Sequence, residues 1–192
     1  AYETAFRQCG VIRARSMAEL FDLAVAFTSQ PVPRGDRVAV VTNSGGPGII
    51  AADTIEDKKL QMARFTRETV EQLRSYLPSE SNIYNPVDVL GDAKADRFRF
   101  SLEKVMSDPG VDSTLVLVCP TAVTEPVETA RAIVNAKSAY PEKPLLAAYM
   151  GGERLAEGAK KLKEARVPCF TFPEPAVTAI SGLTGYAHTR KV

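Results

Sequence analysis

Apolar and polar positions along the chain switch between two periods, and the switches predict its elements. Residues 38–42, Val-Ala-Val-Val-Thr, form a continuous run rich in β-branched side chains, suited to a strand buried on both faces. Residues 114–118 and 145–149 repeat the pattern, residues 169–172 end the series, and residues 60–63 are a weaker strand candidate. Between the strands, apolar residues recur at helical spacing. Pro47 opens a helix reaching about Lys58. Residues 68–77 form a helix stopped by Pro78. Phe98, Leu102 and Val105 mark an amphipathic helix over 93–107. Helices over 126–139, 153–165 and 173–190 complete the alternation. Residues 82–91 read as an irregular loop containing Asn85-Pro86-Val87-Asp88, in which Asn before Pro favours an extended or turn backbone.

The first 35 residues differ. Residues 2–8 look like the end of a helix that Gly10 terminates. Ser16-Met17-Ala18-Glu19 is a capping box, with Ser16 at the N-cap and Glu19 at N3. Leu20, Leu23, Ala24 and Phe27 then form a helical apolar stripe, and Pro31 and Pro33 end it near Gln30. Residues 30–36 read as a linker. The expected division is a helical tail and linker over 1–35 and a main domain over 36–192. Strands alternating with helices at this spacing imply right-handed crossovers and a mainly parallel sheet. The expected fold is therefore α/β, a three-layer flavodoxin-like sheet of about five strands in the order 2-1-3-4-5, behind an N-terminal helical linker. That order puts the 38–42 strand beside the 114–118 strand. A functional crevice is expected at their carboxyl ends, between loops 43–48 and 119–126.

Composition narrows the classes. Of 192 residues, 45% are hydrophobic and 24% charged, as in a globular protein, so disorder is excluded as the main description. No apolar run approaches membrane-spanning length. Twenty-four basic residues against 23 acidic ones leave no electrostatic footprint for nucleic acid or an anionic membrane. The N-terminus lacks a signal-peptide pattern and an initiator Met, which suggests a fragment of a longer cytoplasmic protein. Cys9, Cys119 and Cys169 are too sparse for a disulfide framework, and no Cys/His pair has metal-binding spacing. His188, the single histidine, stands at the terminus, so no catalytic residue and no metal site is expected within this chain.

Thr42-Asn43-Ser44-Gly45-Gly46-Pro47-Gly48 is the most informative stretch. It follows a buried strand and opens a helix. Its glycines permit close backbone approach, and a helix start exposes N–H groups and the positive end of a dipole. The combination suits phosphate or carboxylate, with Asn43 and Ser44 adding side-chain donors; a tight turn without ligand is the alternative. The loop of Thr121, Ala122, Val123 and Thr124 has the same design, with Thr124 as N-cap and Pro126 in the first turn, and simple capping is its alternative. If the strand order holds, both helix starts could hold one anion. Gly46-Pro47-Gly48-Ile49-Ile50-Ala51 matches a dinucleotide fingerprint in form, but the ribose-binding acid is replaced by Arg64, which suits a 2′-phosphate. Asp88 reads as ligand, cap or loop acceptor. Glu128, Arg131 and Lys137 read as a solvated helix face.

The run from Arg37 to Gly48, Asn85-Pro86-Val87-Asp88-Val89, Lys143-Pro144-Leu145-Leu146-Ala147, Gly151-Gly152 and Pro173-Glu174-Pro175-Ala176-Val177 together resemble the ADP-forming acyl-CoA synthetases, relatives of succinyl-CoA synthetase. The resemblance implies a reversible reaction in which acyl-CoA, ADP and phosphate give free acid, CoA and ATP. It implies a phosphohistidine cradled by two helix starts, the second supplied by a domain like this one. Residues 1–8 resemble the run after the phosphohistidine loop of the preceding domain. The phosphohistidine motif, the CoA-binding domain and the ATP-grasp module are absent, so the chain alone is expected to be inactive. The resemblance gives Asn43, Ser44, Gly45 and Gly46, with Thr121, Ala122, Val123 and Thr124, as phosphate- and acyl-binding positions. The second loop lacks the glycine pair of the succinate enzymes, which leaves acetate or a branched or aryl acid open. No cofactor is expected on this domain itself; the holoenzyme would use CoA, ATP or ADP, phosphate and magnesium. Expected partners are the CoA-binding and ATP-grasp domains or subunits, with homo-oligomerisation open. Two other readings remain: an acyl-CoA-sensing module of a protein acetyltransferase, and a dinucleotide-binding domain.

Overall fold

A computed structural model describes Phe6 and residues 9–189. The expected helix end over 2–8 lies, Phe6 apart, outside the described residues. Gly10 has φ +71°, and the Val11 N–H donates to the Phe6 carbonyl at 2.8 Å.

The elements are α1 (Met17–Ser29), β1 (Arg37–Thr42), α2 (Gly45–Asp57), β2 (Gln61–Met62), α3 (Arg67–Tyr76), β3 (Val87–Asp88), α4 (Ala95–Ser107), β4 (Ser113–Val118), α5 (Pro126–Ala139), β5 (Leu145–Tyr149), α6 (Ala156–Glu164), β6 (Cys169–Phe170) and α7 (Pro173–Thr189). A turn of 3-10 helix, Gly152–Leu155, precedes α6 where a continuous helix is expected from the sequence. All strand pairs are parallel, in the order β2-β1-β4-β5-β6, which is the expected doubly wound arrangement.

Side chains alternate across the sheet and build two cores. Val38 and Val40 of β1, Leu115 and Leu117 of β4, and Leu146 and Ala148 of β5 face α2 and α7 through Ile55, Ile180 and Leu183. Ala39, Val41, Val116, Val118, Leu145 and Tyr149 face the other helical layer through Leu73, Phe98, Leu102, Ile133 and Leu162. Both faces are covered, which is why the strands read as unbroken apolar runs.

The expected loop over 82–91 contains a strand. Residues 87 and 88 are a strand, not loop: β3 pairs with the carboxyl end of β1 through Val41↔Val87 and Thr42↔Asp88, while β2 pairs with its amino end. Two short strands thus share one edge of β1, and Asn85 fills the gap between them. Its Oδ1 accepts the Val40 N–H at 2.9 Å, and its Nδ2 donates to the Val38 and Ala63 carbonyls at 2.8 and 3.1 Å. A side-chain amide stands in for a missing strand residue.

The N-terminal helix packs on the main body. Leu23 lies against Gly182 of α7, where an added Cβ would meet Leu23 Cδ2 at 2.3 Å. Phe27 and Tyr186 meet edge to face at 5.5 Å. The Gln30 side chain accepts the Leu145 N–H at 2.9 Å and donates to the Arg166 carbonyl. Lys137 donates to the Ser29 and Arg166 carbonyls, so it is a clamp rather than part of a solvated face. The buried stripe is Leu23 and Ala26 with Phe27 beside them; Leu20 and Ala24, expected inside, face outward.

Candidate functional site

The two loops expected to line the crevice, 43–48 and 119–126, meet at the carboxyl ends of the paired strands β1 and β4. Asn43, 2% exposed, ties the two strand ends together. Its Nδ2 donates to the Cys119 carbonyl at 2.9 Å and its Oδ1 accepts the Cys119 N–H at 2.8 Å. The Ser44 side chain stands beside the Cys119 thiol. Burial raises the pKa of that thiol, an effect the Ser44 hydroxyl offsets only in part, so Cys119 is not an activated nucleophile. The side-chain donors expected from Asn43 and Ser44 are therefore turned inward, on the neighbouring strand.

The backbone remains. Helix α2 starts at Gly45, two residues before the expected Pro47, with Ser44 at the N-cap but no side-chain cap. The Gly48 N–H bonds the Ser44 carbonyl at 3.4 Å, and Pro47 has no N–H. Gly45 and Gly46 thus hold the two N–H groups with no intrahelical acceptor. Both residues are exposed, and a Cβ on Gly46 would meet nothing within 4 Å. No acidic residue lies in the first turn of α2. Thr42 shapes the entry: its Oγ1 accepts the Ser44 N–H at 3.0 Å and donates to the Ser44 carbonyl at 2.8 Å.

The second loop is built differently. The Thr124 hydroxyl accepts the Thr121 N–H at 2.8 Å, pairs with the Thr121 hydroxyl at 2.9 Å and reaches the Cys119 carbonyl at 3.2 Å. Thr124 is a loop-internal bond maker; the N-cap of α5 is Glu125. Ala122 and Val123 are exposed at the tip. The Glu125 carboxylate accepts the Ala95 N–H at the start of α4 (3.1 Å), and Glu128 sits in the first turn of α5. Glu128 thus complements the α5 dipole, the Glu125 carboxylate serves the start of α4, and a carboxylate, Asp88, also stands beside the start of α2.

Asp88, open in the sequence as ligand, cap or loop acceptor, forms the third wall with Leu90 and Gly91, which were not singled out. Asp88, half-buried, ends β3 with Oδ2 3.4 Å from where a Gly45 Cβ would stand, while its Oδ1 accepts the Leu90 N–H at 2.9 Å. Leu90 has φ +73°, an uncommon conformation for a residue with a Cβ. Gly91 lies between the loops, its missing Cβ 3.9 Å from both the Asn43 carbonyl and Thr121 Cγ2. The site thus offers an acceptor beside two donors. Val87-Asp88-Val89 carried a two-residue alternation that could have marked the strand. Arg64, considered for a 2′-phosphate, follows β2, which is level with the start of β1, and it lines a separate cavity at that sheet edge. His188 is exposed on the last turn of α7. Among the described residues no cluster of His, Cys, Asp and Glu could hold a metal ion, and no helix is long and apolar enough to cross a membrane.

Comparison with known proteins fits this geometry. The chain is 41% identical over 187 residues to acetate–CoA ligase [ADP-forming] I of Archaeoglobus fulgidus, covering 97% of this chain and 26% of that protein. It is 39% identical over 191 residues to the alpha subunit of acetate–CoA ligase [ADP-forming] II of Pyrococcus furiosus, covering 97% and 41%. A 4-hydroxybutyrate–CoA ligase [ADP-forming] of Nitrosopumilus maritimus is 32% identical, covering 97% and 26%. Among solved structures, the dinucleotide-forming acetyl-coenzyme A synthetase 1 of Ca. Korarchaeum cryptofilum, in complex with phosphate and ADP, superposes with TM-score 0.92 at 33% identity, covering 99% of this chain and 41% of that one. The chain therefore spans well under half the length of these relatives. A family model for the Ligase-CoA domain matches residues 38–191, and with that match the chain belongs to the Ligase-CoA domain family.

Proposed function

We propose that this chain is the Ligase-CoA part of an ADP-forming acyl-CoA synthetase, and that the start of α2 donates to its phosphoryl and acyl-phosphate site. The carrying observation is the pair of N–H groups of Gly45 and Gly46, which have no intrahelical acceptor, with open space over Gly46 and the Asp88 carboxylate beside Gly45. Charge developing on a phosphoryl oxygen would meet donors already in place, an oxyanion-hole type of stabilisation. Asn43, Ser44, Thr121 and Thr124 act mainly by fixing the backbone around the crevice, and Ala122 and Val123 form its rim. Asp88 supplies an acceptor for a protonated group brought against the phosphoryl acceptor site.

In this reading the phosphohistidine, the CoA-binding fold and the ATP-grasp module belong to other domains or subunits. CoA, ADP or ATP, phosphate and magnesium act in the assembled enzyme, and the chain alone does not turn over. Residues 1–35 are the connection from a preceding domain. The relatives' names, acetate and 4-hydroxybutyrate, differ in the acid, so the acyl group is set outside the features they share with this chain.

The test is ATP formation from acetyl-CoA, ADP and phosphate by the full-length synthetase carrying these residues. Gly46→Leu adds a side chain that the fold accommodates but the cradle does not. Its rate should fall at least about 100-fold, the scale of losing preorganised oxyanion donors, with thermal stability unchanged. An inert wild-type enzyme, or a Gly46→Leu enzyme near the wild-type rate, would overturn the proposal.

A further inference from the structure

Helix α1 is apolar on two faces. One is the face buried on α7. The other carries Met17, Leu20, Phe21 and Val25, which are 65, 49, 63 and 50% exposed. Their spacing, i, i+3, i+4 and i+8, makes them one stripe along the whole helix. Four side chains at these exposures leave roughly 400 Å² of apolar surface in water, the size at which a surface patch marks an interaction site. The chain leading into the helix adds Val11 and Ile12, 51 and 37% exposed. A helix apolar on opposite faces belongs between two bodies.

We infer that the outer face of α1 is the seat of the preceding domain of the same synthetase chain. This rests on the proposed function, which makes residues 1–35 an interdomain connection. Two observations select that occupant over a second copy of this chain. First, the patch is about half of the roughly 800 Å² per partner that a free-standing dimer buries. A tethered domain needs less, because the linker holds it at an effective concentration in the millimolar range. Second, the alpha-subunit relative is more than twice as long as this chain, so there is a body of protein to cover the stripe. A cavity of about 680 Å³ continues from Val25 toward α6 and carries Lys160, Lys163 and Arg166 with no acidic residue in its lining. The docked surface should therefore be an apolar element flanked by carboxylates.

Hydroxyl-radical footprinting reads this directly, since Met17 and Phe21 both carry reactive side chains. Their oxidation in the full-length synthetase is expected to be at least tenfold slower than in the 192-residue chain. Phe21→Glu in the full-length enzyme should return Met17 to the rate of the short chain, while Phe27, on the buried face, stays protected. Equal oxidation of Met17 in the two proteins would overturn the inference. Protection in the short chain that grows with its own concentration would overturn it in favour of a second copy. ATP formation measured on the same full-length preparation separates the two claims: an active enzyme with an unprotected stripe sinks the docking alone.

Discussion

Asn43 and Asn85 show how single amides organise this molecule. Each uses its side chain as a piece of backbone, Asn43 across the ends of β1 and β4, Asn85 along the open edge of β1. Asn85→Ala leaves the buried Val40 N–H without its acceptor and removes one of two donors to the Val38 carbonyl, the other being the Ala63 N–H, and it should lower unfolding free energy by about 1–3 kcal/mol. Denaturant unfolding checks this; a variant of wild-type stability would mean that water replaces the amide at no cost. The types of these residues were legible in the sequence, and their direction was not. Asn ahead of a helix-opening glycine pair reads as a ligand donor, yet the amide is buried and spends both its groups on the Cys119 backbone. The glycines were legible as a helix-opening turn, and the space over Gly46 is open, as the proposed backbone-only anion site requires.

At the scale of elements, the long strands and their flanking helices declared themselves through unbroken apolar runs and caps. The short elements did not. β3 is two residues long, and only its place beside β1 makes it a strand. Helix α1 misled differently. Its period is helical whichever way it is turned, and Leu20 and Leu23 are equally apolar; the notch at Gly182 decides that Leu23 goes inside. Gly182→Ala should therefore push Leu23 out of its seat and cost about 1–3 kcal/mol, the usual range for overpacking. Thermal melts of the variant test this, and an unchanged melting temperature would show that Leu23 repacks freely. Lys137 read as surface because lysine in a helix is nearly always solvated, but the carbonyls of Ser29 and Arg166 converge on it where α1 meets the sheet.

For the molecule as a whole, the amino ends of the strands are held by charge, and the proposed site lies at the carboxyl ends. Burial alone would raise the Asp112 carboxyl, but hydrogen bonds and charge from Arg37 outweigh it and hold its pKa below the ordinary carboxylate value. Asp108 is likewise lowered against its burial, by Thr69, Thr66 and Gly110. Both groups titrate lower in the folded than in the unfolded state, so their stabilisation is present above the unfolded carboxylate value of about 4. It is lost as pH falls through the folded values. Melting temperature should drop on acidification below about pH 4, and less steeply in Asp112→Asn; equal acid limbs would remove this account. The doubly wound architecture, and with it the meeting of loops 43–48 and 119–126, was legible in the sequence because it follows from strand order.

The central claim is that backbone N–H groups at the start of α2 hold the phosphoryl group. The most direct test is the amount of phosphoenzyme formed from labelled ATP in the full-length synthetase, comparing Gly46→Leu with Gly185→Leu. A Cβ at either position meets nothing within 4 Å, so both variants should fold. The account predicts that phosphoenzyme is lost in Gly46→Leu and retained in Gly185→Leu. Equal labelling of the two would contradict it.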